Sequence, residues 1–357
     1  MSKILELKEW YETYEKKISI FALLSGFIID SLTLQRIDAL RDNLWIALNL
    51  LAVGVCIALI NRKEGDKTSW EHFSLITIIQ FSFGALRGPF FIFYFRSAAL
   101  TTAWPFLLVL LAAIVANELF QKRYAKLAFQ LSFFYLSIFS FTIYLLPVIF
   151  HRIGVMMFLL SGAVSLGVIW LFVQLIIRMA KEKFLENKTH VWRLVLGIFV
   201  GMNVLYFTNL IPPIPLSMKD AGVYHSISKS IAGNYIVETE DKGFLDYFRL
   251  RERVHWTNGE ALYAYSAIFS PGALNTQVVH EWQFKNNKGD WVTATRIPLY
   301  LSGGREDGFR TYSTKANLTP GPWRVNVETP RGALIGRINF EIISAAQLPN
   351  LMPIIKQ

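Results

Sequence analysis

Apolar residues follow two different rhythms along the chain. Up to about residue 211 they come in long runs, and beyond residue 219 they alternate with polar residues. Seven runs stand out in the first region, at about 18–35, 44–60, 73–93, 98–119, 127–150, 154–177 and 194–211. A membrane-spanning helix needs roughly 17–25 mostly apolar residues. All seven runs reach that length, 44–60 and 194–211 only narrowly. The connectors are short and polar. So many apolar runs with so few charges could not all find partners inside a soluble core. The pattern therefore predicts a seven-helix transmembrane domain over 18–211. Ahead of it, residues 1–17 place Ile4, Leu7, Trp10, Tyr11 and Tyr14 at helical spacing among four Lys and four Glu. This reads as an amphipathic interfacial helix or a solvated helical tail. No short apolar core with a small-residue cleavage site follows, so a removable signal peptide is not expected.

Residues 212–218, Pro-Pro-Ile-Pro-Leu-Ser-Met, read as a stiff Pro-rich linker. The alternation that follows predicts strands. Val278–Lys285 puts His280, Trp282 and Phe284 on one face and Glu281, Gln283 and Lys285 on the other. Trp323–Thr329 separates Trp323, Val325 and Val327 from Arg324, Asn326 and Glu328. Ala261–Phe269, Trp291–Leu301 and Ala333–Ile343 behave alike, with turns at Asn258-Gly259, at Asn286–Asp290 and at Pro330-Arg331-Gly332. Such spacing fits an antiparallel immunoglobulin-like β-sandwich over 219–345. The immunoglobulin likeness is one of architecture only, because the chain has a single cysteine, Cys56. The last segment, 346–357, is an apolar, Pro-containing tail of unread role.

Composition sharpens this picture. Apolar residues make up 53% of the chain and charged residues only 17%, against about 25% charged in an average soluble domain. The net charge of +10 would suggest nucleic acid if it were spread evenly. Instead residues 1–218 hold 20 Lys and Arg against 13 Asp and Glu, whereas 219–345 hold 15 against 13. The excess lies with the apolar half, as topogenic charges do, and no nucleic-acid partner is implied. Fifteen Lys and Arg fall at the N-terminus and in the loops after the second, fourth and sixth runs. Only Arg36, Arg41, Arg96 and Arg152 fall on the other side. This bias puts the N-terminus on the cytoplasmic side of the membrane. An odd number of spans then makes the β domain periplasmic or otherwise extracytoplasmic.

Three segments carry a family resemblance. His280-Glu281-Trp282, Phe309-Arg310-Thr311-Tyr312-Ser313-Thr314-Lys315 and Pro322-Trp323-Arg324-Val325-Asn326-Val327 occur in that order. They resemble the bacterial family called domain of unknown function 2914. Ile211–His225 and, less specifically, the apolar runs resemble its membrane-anchored members. Arg305–Gly308 departs from the pattern as an insertion. The resemblance implies a compact extracytoplasmic β domain, and it implies no reaction.

Charged groups within spans are functional candidates, because a charge at mid-bilayer costs a few kcal/mol even on the gentlest scale. Asp30 and Arg87 are such groups, and Gly88-Pro89 should break or kink the third helix. Asp30, Arg87, Arg96, His151 and Arg152 all fall toward the outer side. They could line a basic pocket for an anionic lipid headgroup or pyrophosphate. They could equally form a structural pair and interfacial anchors. In Phe248–Trp256, Arg249, Arg251, Arg253 and His255 share one face of a strand. That face could hold anionic groups, or it could be a solvated protective edge. Tyr312, Ser313 and Lys315 read as a polar outer face. Ser161, Gly162, Ser165 and Gly167, with Asn203 and Asn209, suit interhelical packing.

No span contains a lysine that could carry retinal. No cofactor fingerprint or metal-ligand spacing is present among the six histidines. The expected function is therefore a multi-pass membrane protein whose β-sandwich is a binding or assembly module at the cell envelope. Its partners would be the bilayer and an anionic lipid or envelope protein, with Trp282, Trp291, Arg310, Trp323 and Arg324 as aromatic and cationic anchors. The alternative is a membrane enzyme or transporter handling a lipid-linked phosphate. Without a convincing base or nucleophile beyond Asp30 and His151, that alternative ranks second.

Overall fold

The computed structural model describes residues 39–62, 70–97, 104, 107–108, 111–112, 126–213, 215–231, 234–241, 251–270, 276–301, 305–347 and 349–356. The chain divides into two compact units, one of helices and one comprising residues 209–357 with Phe150–Ile153.

The helical unit contains α1 (Leu40–Arg62), α2 (Trp70–Ser97), α3 (Leu127–Phe150), α4 (Val155–Met179) and α5 (Lys181–Phe207). Four of these, α1, α3, α4 and α5, are long and apolar enough to cross a membrane. Seven spans are thus not supported among the described residues. The expected run 18–35 and the interfacial helix at 1–17 lie outside them, as does most of 98–119. The third expected run lies within α2, which continues as one helix through Gly88-Pro89 instead of breaking there.

The seventh run also differs from its expected form. The polar stretch expected to be a loop is helical, so α5 begins at Lys181 and only Ala180 separates it from α4. Glu, Lys and Leu are good helix formers, and they outweigh the polarity of this stretch.

Small and polar residues join the helices. Asn61 Nδ2 donates to Gln130 Oε1 at 2.8 Å. Thr142 Oγ1 donates to the Ser161 carbonyl at 3.2 Å, and Ser161 Oγ returns a bond to the Thr142 carbonyl at 3.0 Å. A Cβ on Gly162 would come within 3.1 Å of the Phe199 ring, so glycine there lets the two helices approach closely. Gly167 meets open space, and Asn203 bonds its own helix. Leu171 and Leu175 on α4 and Leu196 and Val200 on α5 are exposed. Outward apolar faces of this kind suit a lipid surround.

The second unit is built from β1 (Ser217–Tyr224), β2 (Ser226–Lys229), β3 (Tyr235–Glu240), β4 (Glu252–Trp256), β5 (Leu262–Ser270), β6 (Thr276–Lys285), β7 (Trp291–Leu301), β8 (Arg305–Lys315), β9 (Gly321–Glu328), β10 (Leu334–Ser344) and β11 (Leu351–Lys356). They form three sheets, ordered β1-β5-β8, β4-β10-β9-β6-β7 and β11-β3-β2. Among the described residues only the β4–β10 pair is parallel.

The three sheets stack in layers. Leu262 and Ala264 of β5 pack with Trp282, Trp323, Val325 and Phe340 of the five-stranded sheet. Tyr265 and Ala267, on the opposite face of β5, pack with Tyr224 of β1 and Val237 of β3. The near-continuous apolar run of β5 is that of a strand covered on both faces. A two-layer sandwich, as expected, is therefore extended by a third small sheet.

The tail supplies that sheet's edge. β11 pairs with β3 from Leu351↔Glu240 to Lys356↔Tyr235. Pro353 is tolerated there because an edge strand need not donate from every residue. Lys356 Nζ meets Asp220 Oδ2 at 2.8 Å, and Arg310 Nη1 donates to the Lys356 carbonyl at 2.9 Å. β1 begins at Ser217, inside the segment expected to be linker, and Leu216 just before it is fully buried. The turns lie where the sequence signalled them. Gly289 has φ 89° between β6 and β7, and Gly332 has φ 84° between β9 and β10. Both are values that favour glycine.

Candidate functional site

Strand β6 sends successive side chains to opposite faces of the five-stranded sheet. The inner face carries His280 and Trp282, both fully buried. His280 lies 2.8 Å from Ser266 Oγ through Nε2 and 2.8 Å from Ser313 Oγ through Nδ1. Trp282 Nε1 also donates to Ser313 Oγ, at 3.0 Å. Burial lowers the His280 pKa to about 4, so the ring is neutral. A serine–histidine pair can be nucleophilic. Here Ser266, Ser313 and His280 are at most 3% exposed, so no substrate reaches them. The reading of Ser313 as part of a polar outer face is thereby corrected. It turns into the core to satisfy His280 and Trp282.

The outer face carries a denser network. Glu281 Oε2 accepts from Asn326 Nδ2 at 2.9 Å, and its Oε1 accepts from Thr293 Oγ1 at 2.8 Å. Gln283 Oε1 accepts from Arg324 Nε at 2.6 Å. Asn326 Oδ1 accepts from Arg337 Nε at 2.7 Å. Arg296 bridges two carboxylates, at 2.6 Å from Glu328 and 3.6 Å from Glu281. Although this face points away from the core, Glu281, Asn326 and Glu328 are buried beneath the arginines.

That burial separates the two carboxylates. Burial alone would push Glu281 up. Hydrogen bonds from Asn326 and Thr293 and the charge of Arg296 outweigh it, and its pKa is lowered. Glu328 is pushed up to about 7 by burial and then by Glu281, against the pull of Arg296 and Arg337. Arg324 is lowered to about 10 by burial and then by Arg337, and burial also lowers Arg337. Over the network lies Trp291, its ring centroid 4.3 Å from Cζ of Arg324 and 6.0 Å from Cζ of Arg251. Guanidinium groups stack favourably on an indole face.

The expected site residues distribute as follows. Asp30 and Arg249 lie outside the described residues. Arg87 and Arg96 sit on α2, and their side chains are not described. His151 and Arg152 are exposed in the turn after α3, with His151 at φ 51°. Within β4 the expected alternation holds, with Val254 and Trp256 buried and Arg253 exposed. Arg251, just ahead of β4, joins Trp291. Of the five expected anchors, Trp282 and Trp323 are core residues. Arg310 stacks 5.6 Å from Tyr235 and holds the last strand. Only Trp291 and Arg324 belong to the outer network.

His255 belongs to another group, which the sequence reading missed. Its Nδ1 lies 2.7 Å from Glu240 Oε2, and its backbone N–H donates to Glu240 Oε1. His225 is held from both sides, by Glu260 at 2.7 Å and Glu240 at 3.1 Å. Burial would lower the His225 pKa, but the two carboxylates outweigh burial and raise it. These four residues are scattered through the sequence without a motif, so no spacing reveals them. Among the described residues, no three or more His, Cys, Asp or Glu are arranged to hold a metal ion.

Comparison with known proteins bears on the outer network directly. Residues 275–342 match the family described as Protein of unknown function (DUF2914). The DUF2914 segment runs from β6 into β10 and contains every residue of the outer network except Arg251. No family covers the helical half. No curated protein matches the chain.

Several solved structures resemble it at low identity. An immunoglobulin-like protein from Pseudomonas aeruginosa is 8% identical over 36% of this chain and 98% of its own, with TM-score 0.21. A β-glucosidase from Listeria innocua is 12% identical over 38% of this chain and 17% of its own, with TM-score 0.21. The alkylpurine DNA glycosylase AlkC from Pseudomonas fluorescens, bound to DNA containing an abasic site analog, is 8% identical over 86% of this chain and 99% of its own, with TM-score 0.22.

Proposed function

We propose that this protein is a membrane-anchored binding or assembly module of the bacterial cell envelope. The helices hold it in the cytoplasmic membrane with the N-terminus inside, and the β unit extends on the extracytoplasmic side. The charge bias along the sequence supports that orientation. The outer face of the five-stranded sheet is the contact surface, with Arg251 and Arg253 reaching anionic groups. One observation carries the reading. On that face Arg324 and Arg251 flank Trp291 above a buried amide and carboxylate network. A solvated protective face would not need such a structure.

Native mass spectrometry of the full chain, released from mild detergent, tests this. An anionic lipid bound to wild type and lost from R251A/R253A is the expected result. Loss in R87A with retention in R251A/R253A would move the function to the membrane helices and toward a lipid-phosphate enzyme or transporter. No lipid on any form would leave a protein partner of the β unit as the occupant.

A further inference from the structure

We infer that Arg324 and Arg337 together form a binding site for a tetrahedral oxyanion, a phosphate or sulfate group. This deepens the envelope-binding reading and rests on it. Both arginines are half-buried. Each uses Nε to donate to a neutral amide oxygen, Arg324 to Gln283 and Arg337 to Asn326. Those amides are themselves held. Gln283 Nε2 donates to Thr293 Oγ1 at 3.2 Å, and Asn326 Nδ2 donates to Glu281. The two guanidinium groups are thereby fixed in place, while their terminal nitrogens make no ion pair among the described residues.

Placing positive charge in a desolvated position without a counter-charge is costly. Arg296 shows the ordinary solution, since it sits between Glu281 and Glu328. Glu281 attracts Arg324, and Glu281 and Glu328 attract Arg337, at longer range, but both Glu281 oxygens and Oε1 of Glu328 are engaged by Arg296, Asn326 and Thr293. The strand register supplies the spacing. Arg324 lies opposite Asn339 and Arg337 lies opposite Asn326, so the two are diagonal neighbours on one face. Diagonal pairs of this kind are about 7–8 Å apart at the backbone. Two guanidinium forks at that separation can converge on one anion, each offering paired N–H donors. Arg251, across the Trp291 ring, adds a third cation at the rim. A tetrahedral anion has enough oxygens to accept from all three.

The experiment is isothermal titration of the full chain in a neutral detergent at constant ionic strength. Sodium sulfate, inorganic phosphate and glycerol 1-phosphate are the titrants. Wild type is expected to bind sulfate saturably, with binding at least tenfold weaker in R324Q and in R337Q and unchanged in the control K229Q, on β2 of the third sheet. R337K keeps the charge but not the fork. It serves where a neutral variant fails to fold, and it should bind several-fold more weakly. Tighter binding of glycerol 1-phosphate than of inorganic phosphate identifies a lipid headgroup as the source. Equal binding identifies a free phosphate. Absence of saturable binding to wild type, or equal binding by wild type and the arginine variants, overturns the oxyanion site. A lipid that still copurifies with wild type would then leave the envelope reading standing, so the two failures are separable.

Discussion

The two faces of strand β6 bury polar groups by opposite means. On the inner face, His280 is neutral and each ring nitrogen has a serine partner, with Trp282 completing the set. On the outer face, charged groups are buried, and among the described residues the side chains of two arginines donate hydrogen bonds only to amide oxygens. The outer face has the more hydrogen bonds, but the number of bonds is not what separates the two. What distinguishes them is charge balance. The inner cluster is saturated and closed, and adding anything to it would cost energy. The outer cluster carries positive charge that an incoming anion would neutralise.

The largest test of the contrast is His280→Ala. It strands Ser266 and Ser313 and opens a cavity, which together should cost about 4 kcal/mol. Chemical denaturation of the full chain would read this, while sulfate binding by the folded fraction should match wild type. A loss of anion binding would show that the faces are coupled, and a small loss of stability would show that the inner cluster is not structural.

Next in size is Glu328→Gln. The Glu328 pKa is raised to about 7 in the fold, above an ordinary glutamate near 4.3. The folded state then holds a proton that the unfolded state has released. Stability therefore falls as pH rises from about 4.5 to 7, by about 3 kcal/mol. The substituted amide keeps an acceptor for Arg296 and does not titrate, so the slope over that window should flatten. Thermal melts between pH 4.5 and 8 in a neutral detergent would show it, and an unchanged slope would mean that Glu328 is ionised throughout.

The smallest expected effect is that of His225→Gln. The His225 pKa is raised by Glu240 and Glu260, so its contribution is complete below about 6.5 and is lost as pH rises through the folded value. The variant should lose about 1 kcal/mol at pH 6 and little at pH 9. The same melts, extended to pH 9, separate the two groups, because the Glu328 window closes near pH 7 and that of His225 opens only near pH 6.5. A deficit that persists unchanged to pH 9 would exclude the ion pairs as its cause.

Much of the fold was legible where a strand has one apolar and one polar face. β6, β7, β9 and β10 alternate cleanly, and their turns carry glycine at positive φ. β2 and β3 are short, and β11 contains a proline, so no periodic pattern marks them. The third sheet was invisible for that reason. α5 was misread at its start because hydropathy falls where helix propensity stays high. In the site, Glu281 and Gln283 were placed on the correct face, but a polar face reads as solvated. Only the arginines of neighbouring strands reveal that it is covered. His225, Glu240, His255 and Glu260 are joined by topology alone.

The third sheet has a further consequence, for the order in which the chain can assemble. β3 is bordered by β2 on one side and by β11 on the other, and β11 follows more than a hundred residues later. The β2–β3 hairpin can close as soon as it is made. It must then hold one hydrogen-bonding edge open while the whole five-stranded sheet is threaded and paired. Long-range pairings of this kind slow folding, because loop closure precedes any reward. An open edge is also a template for the wrong strand. This unit should therefore be most vulnerable to aggregation and proteolysis late in its synthesis, in the interval before Leu351–Lys356 docks.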